Sequence, residues 1–212
     1  MSRKDAGFGR MAPWYRALEF LAFGGDLERA RFEYLGRLSG CSDILLLGEG
    51  DGRCAARLAA LAPQARILCV DSSPGMIERA RRRLGGNPRV SFACADVRTF
   101  TPEPGRFDAV ATLFLLDCFD AGDVATVVGS VGRALRPGAP WLFADFVLPA
   151  RGMARVRARA WLRVLYTFFR WETGLAVSSL PPSEEILGRE GWKVAESREL
   201  QRGLLRTALL RR

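Results

Sequence analysis

The stretch Ile44-Leu45-Leu46-Leu47-Gly48-Glu49-Gly50-Asp51-Gly52 joins four apolar residues to three glycines at alternate positions. An apolar run of this kind is typical of a strand that is covered on both faces of a sheet. Glycine permits positive φ angles and removes the Cβ atom that would hold a ligand away from the main chain. Because a helical pattern begins near Arg53, the stretch predicts a buried strand, a tight bend and the start of a helix.

Six more apolar runs follow, and helical patterns separate most of them. The predicted strands are Ile44–Leu47, Ile67–Val70, Val90–Ala93, Ala109–Leu113, Trp141–Ala144, Trp192–Ala195 and Leu204–Leu210. The predicted helices between them are Arg53–Leu61, Pro74–Leu84, Asp123–Leu135, Met153–Arg170 and Ser183–Arg189. This alternation predicts an α/β fold with a doubly wound, mostly parallel sheet. Only the turn Arg202-Gly203 separates the last two strands, which predicts an antiparallel hairpin.

Helical patterns also occupy the segments outside this alternation. The first forty residues are predicted to be helical, with a second helix over Asp26–Leu38. We therefore expect one domain over residues 1–212. Its parts are an N-terminal helical cap (1–40), a ligand-binding core (43–148), a helical cap insertion (149–180) and a C-terminal helix with a hairpin (183–212).

Composition excludes several kinds of chemistry. The chain has 212 residues and no histidine, which excludes Ser-His-Asp and Cys-His catalysis and histidine-ligated zinc. Its five cysteines form no CxxC pair, so we predict no metal site and no disulfide framework, and a reducing cytoplasm fits best. The longest apolar run, over 109–116, is too short to span a membrane, and no signal peptide is recognised.

The charge of the glycine bend distinguishes between nucleotide ligands. Glu49 and Asp51 place two acidic residues in the bend, where they would repel a pyrophosphate. The glycine spacing also differs from the GxGxxG of dinucleotide sites, and no GxxxxGK[ST] motif is present. The bend therefore favours a cationic nucleoside such as S-adenosylmethionine over NAD or ATP.

Acidic residues also end the next two strands. Asp71 is suited to accept both hydroxyls of a ribose, while Ser72 and Ser73 before Pro74 are typical of a helix cap. Asp96 is a candidate for the exocyclic amine of adenine, with a turn or cap as the alternative. Met76 suits either the adenine face or the core.

Two carboxylates follow the fourth and fifth strands. Asp117 lies within a very apolar run, and burial would raise the pKa of its carboxyl. Asp145 ends the fifth strand. Each suits a general base, a partner for a substrate amine or a helix cap, and Tyr15 and Tyr166 are further candidates for a base.

Together these residues resemble a known family. Ile44–Gly52 resembles motif I of class I S-adenosylmethionine-dependent methyltransferases, and the later motifs are resembled, in order, by Val70-Asp71, Asp96-Val97, Phe107-Asp108-Ala109-Val110 and Arg136-Pro137-Gly138. The resemblance covers about residues 43–148. It implies a Rossmann-like sheet of seven strands with an antiparallel last strand. It also implies S-adenosylmethionine as cofactor and S-adenosylhomocysteine as product.

The resemblance also implies roles for single residues. Gly48, Glu49 and Gly50 would lie beside the methionine moiety, Asp71 would bind the ribose and Asp96 the adenine. The full set assigned to the cofactor is Gly48, Glu49, Gly50, Asp71, Ser72, Met76, Asp96, Val97 and Leu113. The catalytic candidates are Asp117, Asp145 and Tyr15.

One position departs from the family pattern. The family usually has an acidic residue two positions before the first glycine of motif I, and Leu46 occupies that position here. Either Glu49 takes over its electrostatic role or cofactor affinity is lower. The helical N-terminus and the insertion resemble small-molecule members, broadly of the ubiquinone and menaquinone biosynthesis type.

The insertion is rich in arginine. The net charge of the chain is +9, and residues 146–171 contain six arginines and no acidic residue. A basic amphipathic helix over 151–170 fits either a cap above the acceptor or peripheral contact with an anionic membrane. We expect a small, partly apolar acceptor, and a cap also suits a lipophilic one, whereas nucleic acid is disfavoured because no stacking motif is present. The alternatives are a non-catalytic or membrane-associated module that binds S-adenosylmethionine, and a nicotinamide-dependent reductase, which the glycine spacing disfavours.

Overall fold

The computed structural model describes residues 25–149, 151–153, 155–162 and 180–212. The strands are β1 (Asp43–Leu47), β2 (Arg66–Asp71), β3 (Val90–Cys94), β4 (Ala109–Leu113), β5 (Trp141–Phe146), β6 (Lys193–Leu200) and β7 (Leu205–Arg211). The helices are α1 (Asp26–Phe32), α2 (Arg53–Leu61), α3 (Pro74–Leu84), α4 (Ala121–Ala134) and α5 (Ser183–Arg189). Short 3-10 turns occupy Leu35–Leu38, Leu116–Cys118 and Gln201–Gly203.

The strands form one sheet in the order β3-β2-β1-β4-β5-β7-β6. The pairs among β1 to β5 are parallel, whereas β7 is antiparallel to both β5 and β6. The predicted seven-stranded sheet with an antiparallel C-terminal hairpin is confirmed. The order reverses at β1, so a crevice forms outside the ends of β1 and β4. We call the side where β1 to β5 end the carboxyl edge.

Two apolar layers cover the sheet. One face packs mainly on α4 and α5, through a cluster that includes Val110, Val127 and Trp141. The other face packs on α2, through a cluster that includes Ile44, Leu46 and Leu58. Because both faces are covered, the central strands are buried along their length, as their apolar sequences predict.

Most strand bounds differ from the prediction by one or two residues, and three elements differ for a structural reason. The helix predicted over Asp26–Leu38 is divided, because α1 ends early and a 3-10 turn follows. Leu35 and Leu38 are both fully buried, and the three-residue period of that turn brings both onto one face. Strand β6 extends well beyond the predicted Trp192–Ala195, because an edge strand needs no apolar run. The helix predicted over Asp123–Leu135 begins at Ala121 instead, after the cap residue Asp120.

Part of the cap insertion is described. Residues 152–153 and 155–162 are helical. Ala158 and Leu162 are buried in a cluster with Leu27 and Ala30 of α1 and with Leu205 of β7. The segment therefore packs across α1 and the C-terminal hairpin. Within the described ranges, every helix is too short or too polar to cross a lipid bilayer.

Some predictions concern residues outside the described ranges. The N-terminal helix predicted near Trp14 lies there. So do the candidate bases Tyr15 and Tyr166, and Arg163 and Arg170 of the arginine-rich insertion.

Candidate functional site

A glycine bend follows β1 at the carboxyl edge. Gly48, Gly50 and Gly52 all have positive φ angles, between +66° and +86°. A Cβ atom at Gly52 would lie 2.7 Å from the Cα of Ala80, so this glycine allows α3 to pack closely against the bend. A Cβ atom at Gly50 would meet no atom of the described residues within 4 Å. Gly50 therefore faces open space, and packing within the protein does not account for it.

Asp71, the last residue of β2, holds this bend in place. Its Oδ2 accepts a hydrogen bond from the Gly50 N–H at 2.9 Å, and its Oδ1 accepts one from the Ser73 N–H at 2.9 Å. The two carboxylate oxygens offer about four acceptor positions, so about two remain for a ligand. Asp71 thus joins the bend to the turn that begins α3, beside the open space at Gly50.

Glu49, between the first two glycines of the bend, extends to the start of α2. Its Oε1 accepts a hydrogen bond from the Ala55 N–H at 2.8 Å, within the first turn of α2. The N-cap residue Gly52 has no side chain to supply this bond, so Glu49 acts in its place. Burial raises the pKa of the Glu49 carboxyl to about 7, although this hydrogen bond and the charge of Arg31 act in the opposite direction.

The expectation of a doubly negative bend is wrong for Asp51. Its carboxylate pairs with Arg53 at 3.1 Å and with Arg83 at 3.0 Å. Burial raises the pKa of Asp51, but these two arginines lower it by a larger amount. The pKa of Asp51 therefore lies below its ordinary value. Asp51 is therefore charged but neutralised by its neighbours. Arg83 of α3 lies 32 residues further along the chain, so its pairing with Asp51 cannot be read from the residues of the bend.

The helix after β2 begins as predicted, with one difference. Ser73 is the N-cap residue of α3, and its side chain accepts a hydrogen bond from the Met76 N–H at 3.4 Å. Ser72 was predicted to share this role, but it is exposed, and its carbonyl accepts a hydrogen bond from the Cys94 thiol at 3.8 Å. Met76 is half-buried in the first turn of α3, beside the end of β2.

Asp96 follows β3, and its carboxylate is held by Arg98, which was not among the residues predicted for the site. Arg98 donates to both carboxylate oxygens of Asp96 and also to Asp123 of α4 at 3.2 Å. The hydrogen bond from Arg98 lowers the pKa of Asp96. The Arg98 guanidinium also lies 5.7 Å from the centre of the Phe119 ring. The neighbouring Val97 is buried.

The end of β4 carries an unusual backbone. Leu113 is buried, and Phe114 after it has a φ angle of +58°, which costs an ordinary residue about 1–2 kcal/mol. The Phe114 ring meets Phe146 edge-on at 5.5 Å, and the guanidinium of Arg31 lies 5.4 Å from its centre. Strained residues of this kind cluster at functional sites. Neither the strain nor the approach of Arg31 can be predicted from the spacing of the residues.

Asp117 and Asp145 meet at the same edge. The Asp117 N–H donates to Asp145 Oδ2 at 3.1 Å, and the two carboxyls are hydrogen-bonded to each other. Asp117 is 9% exposed and Asp145 only 1%. Burial raises the pKa of both groups, and the charge of Asp117 raises that of Asp145 further. The sequence placed both at this edge but did not show that they touch.

Comparison with known proteins agrees with this geometry. A family model described as a methyltransferase domain matches residues 44–138. The demethylmenaquinone methyltransferase of Thermus thermophilus is 33% identical over 148 residues, covering 68% of this chain and 66% of that protein. The trans-aconitate 2-methyltransferase of Methylobacterium nodulans is 41% identical over 96 residues, covering 44% of this chain and 36% of that protein.

The chain belongs to the class I S-adenosylmethionine-dependent methyltransferases.

A solved structure shows the same fold as this methyltransferase. The 1,6-didemethyltoxoflavin-N1-methyltransferase of Burkholderia thailandensis superposes with a TM-score of 0.64 at 17% identity, covering 94% of this chain and 83% of that one. The family prediction is confirmed, and with it the expectation that the cofactor is that of the family. The chain spans about a third to a half of the length of the first curated relatives it matches.

The departure at Leu46 has a structural counterpart in this methyltransferase. Leu46 is 1% exposed and packs in the cluster that α2 covers. The carboxylate that accepts a backbone N–H in the first turn of α2 is instead that of Glu49, which lies within the bend. An acidic side chain is thus present near the bend, although it stands three positions later in the chain.

Proposed function

We propose that this chain binds S-adenosylmethionine at the carboxyl edge and transfers its methyl group to a small, partly apolar acceptor. The observation that carries the proposal is the bend at Gly50. Gly50 has a positive φ angle and open space where a side chain would stand, and its N–H donates a hydrogen bond to Asp71. These features occur in a chain of this family. A methyl group or larger side chain at Gly50 would occupy the space that the ligand needs.

The residues around the bend fit the methionine and ribose parts of the cofactor. About two acceptor positions of Asp71 remain unused, and these match the two hydroxyls of a ribose. We assign Gly48, Glu49 and Gly50 to the methionine moiety. The Glu49 carboxyl lies within the same bend and ionises near neutral pH, which suits a site for an ammonium group.

The residues after β2 and β3 fit the adenine part. Asp96 keeps 34% of its side chain exposed beside Arg98, so an exocyclic amine can reach it. We assign Asp96 and Val97 to the adenine edge, and Ser72 and Met76 to its surroundings. Leu113, at the end of β4, is assigned to the side that faces the methyl group.

The chemistry asks little of the protein beyond alignment. The bound cofactor supplies a methyl group that its sulfonium already activates for in-line displacement. The chain's residues hold cofactor and acceptor in line and exclude water, which lowers the barrier by several kcal/mol. Asp117, Asp145 and Tyr15 are the candidates for a base when the acceptor carries a proton.

The acceptor is proposed from the aromatic wall at the same edge and from the relatives. Phe114 and Phe146 offer an apolar surface beside the end of β4. The relatives are named for small acceptors, trans-aconitate and demethylmenaquinone. We further propose that the enzyme works in the cytoplasm, which the five cysteines, all free, support.

Calorimetric titration tests this proposal. Wild-type protein is titrated with S-adenosylmethionine, S-adenosylhomocysteine and NAD, beside the variants Asp71→Ala and Asp120→Asn. We expect both sulfur nucleosides to bind, NAD not to bind, and only Asp71→Ala to weaken binding. Absence of binding by either sulfur nucleoside would overturn the proposal. Release of S-adenosylhomocysteine is then measured with panels of phenols, quinols and carboxylic acids, and binding without any turnover would favour a non-catalytic module.

The outer face of the cap segment supports a second, additional role in membrane contact. Met153, Val156 and Trp161 are 82%, 62% and 41% exposed, and the exposed Arg157 and Arg159 lie among them. We propose that residues 151–170 contact an anionic lipid surface, which would bring a lipophilic acceptor to the enzyme.

Liposome pelleting separates this role from solvated charge. The double variant Val156→Ser with Arg157→Gln is compared with Arg189→Gln, an exposed arginine on α5. The wild type and the control should pellet with vesicles that contain phosphatidylserine, whereas the double variant should stay in the supernatant. Equal pelleting of all three proteins would remove the membrane role.

A further inference from the structure

A pair of acidic side chains, Asp117 and Asp145, occupies the carboxyl edge between the ends of β4 and β5. We propose that the two act as one unit, in which Asp145 keeps a proton and positions Asp117 as the base that receives the proton of an O–H or N–H acceptor. This inference rests on the proposed methyl transfer and narrows it to acceptors with a protonated nucleophile. Asp117 is then a catalytic residue and Asp145 a positioning residue.

The backbone fixes Asp145 more firmly than Asp117. Asp145 lies within β5, and its Oδ1 accepts from the Phe146 N–H at 2.9 Å while its Oδ2 accepts from the Asp117 N–H at 3.1 Å. Asp117 lies in the 3-10 turn after β4 and is the more exposed of the two, at 9% against 1%. Asp145 therefore holds the turn, and Asp117 is the carboxyl that an acceptor can reach.

The shared environment allows one charge but not two. Burial raises the pKa of both carboxyls, because neither is surrounded by water. The hydrogen bond between them then lowers the pKa of Asp117 and raises that of Asp145. The directions of these shifts, together with the deeper burial of Asp145, assign the shared proton to Asp145 and the negative charge to Asp117.

Among the residues that the structure describes, few other titratable groups face the pair. The thiol of Cys118 lies 3.6 Å from Asp117 Oδ1, and burial raises its pKa well above the ordinary value, so it stays protonated and donates. Arg206 on β7 is the register neighbour of Asp145, but its guanidinium forms an ion pair with Glu184 of α5, with Nε 3.0 Å from Oε1. The charge state of the pair is thus set mainly by the two carboxyls themselves.

The aromatic wall defines the acceptor class more closely. Phe146 directly follows Asp145, and its ring packs on Phe114, three residues before Asp117. An acceptor beside this wall would present an apolar or aromatic body to the rings and its O–H or N–H to Asp117. In the transfer, the S–CH3 bond breaks and an O–CH3 or N–CH3 bond forms. The S–CH3 electron pair remains on sulfur, and the acceptor's proton goes to Asp117 and then to solvent.

Four variants separate the two roles. Asp117→Asn removes the base. Asp145→Asn preserves a neutral group that hydrogen-bonds Asp117, whereas Asp145→Ala does not. Asp120→Asn, a conservative change at the N-cap of α4, is the matched control. Each protein is first titrated with S-adenosylmethionine, and we expect all variants to bind it within about threefold of the wild type.

Activity and spectroscopy then decide. With an acceptor from the phenol and quinol panels, Asp117→Asn should lower kcat by about 10²–10⁴-fold with KM little changed. Asp145→Ala should show a similar loss. Asp145→Asn should keep most of the wild-type activity, but its pH profile should lack the alkaline inflection that loss of the Asp145 proton gives the wild type. Infrared spectra at neutral pH need no acceptor. The spectrum of the wild type minus that of Asp145→Asn should show a protonated-carboxyl band, whereas the wild type minus Asp120→Asn should show none, because the protonated fraction of Glu49 cancels in both differences.

Three results would overturn the inference. They are an Asp117→Asn variant as active as the control, equal activity of the two Asp145 variants, or a difference spectrum of wild type minus Asp145→Asn that has no protonated-carboxyl band. If Asp145→Ala does not fold, the Asp145→Asn spectrum still decides the position of the proton. Failure of the wild type to bind S-adenosylmethionine would refute the proposed function instead, and the infrared result would remain a separate test of the pair.

Discussion

Glu49 is the carboxyl of the glycine bend that titrates near neutral pH, and replacing it with glutamine tests how the bend receives a cation. Its pKa is about 7 because it is buried beneath the bend, so at pH 7 about half of the molecules carry the charge. The ammonium group of S-adenosylmethionine is attracted only to the ionised form. We therefore expect binding to become tighter as the pH rises towards 7.

The size of the effect follows from the ionised fraction of Glu49. Between about pH 5.5 and about pH 7 this fraction rises from roughly 3% to about 50%, so the Kd for S-adenosylmethionine should fall roughly fifteenfold. A free α-amino group stays largely protonated over this range, so the ligand's own charge changes little. Binding at the lower pH should release nearly one proton.

Calorimetric titration in two buffers of different ionisation enthalpy measures both Kd and proton release. Glu49→Gln should give a Kd that is nearly independent of pH and should release no proton. Asp51→Asn is the matched control, because the pKa of Asp51 lies below its ordinary value and its charge does not change over this range. A wild-type Kd that is flat across the range, or the same pH dependence in Glu49→Gln, would refute this reasoning.

Other contacts near the bend give predictions that need only standard assays. Gly52→Ala would place a Cβ atom 2.7 Å from the Ala80 Cα at a φ of +86°, so the free energy of unfolding in urea should fall by about 2–4 kcal/mol. Gly86→Ala, at a φ of +74° with open space around it, should cost only about 1 kcal/mol, and equal losses would contradict the packing argument. Asp71→Asn should weaken S-adenosylmethionine binding at least about tenfold in calorimetry while the protein stays folded, because Asn offers fewer acceptors; unchanged affinity would remove the ribose role. The unfolding free energy of wild type minus that of Glu49→Gln should fall by up to about 3 kcal/mol as the pH rises from about 4.5 to about 7, because the folded pKa lies above the unfolded one, and a flat difference would show that Glu49 is not buried as described.

The strands and helices of the core follow closely from the sequence. The helices Arg53–Leu61, Pro74–Leu84 and Ser183–Arg189 begin and end at the predicted residues, because caps, glycines and prolines mark those positions locally. Apolar runs likewise located the buried strands. The edge strand β6 was located but predicted too short, since its alternating charged residues carry no apolar signal.

The site was only partly predictable, because its side chains are directed by residues distant in the chain. The sequence placed Asp71, Asp96, Asp117 and Asp145 at one edge through the rule that ligands bind where parallel strands end. It could not show that Asp96 is held by Arg98, since that pairing depends on the path of the loop after β3. These are facts of three-dimensional packing rather than of spacing.

The direction of a side chain in the bend was equally hidden from the sequence. Glu49 and Asp51 are two residues apart and look equivalent as letters. In the structure Glu49 points under α2 and has a raised pKa, whereas Asp51 points to two arginines and has a lowered one. The prediction of a cationic ligand therefore agrees with the family, but the electrostatic argument for it holds for Glu49 alone.

The central claim is that an adenosyl group lies against the bend and is hydrogen-bonded by the carboxylate of Asp71 at the end of β2. A crystal soaked in S-adenosylhomocysteine tests it directly. We predict density over Gly50, with both ribose hydroxyls within hydrogen-bond distance of the Asp71 carboxylate. A crystal in which the nucleoside binds elsewhere, or in which Asp71 contacts no sugar, would contradict the account.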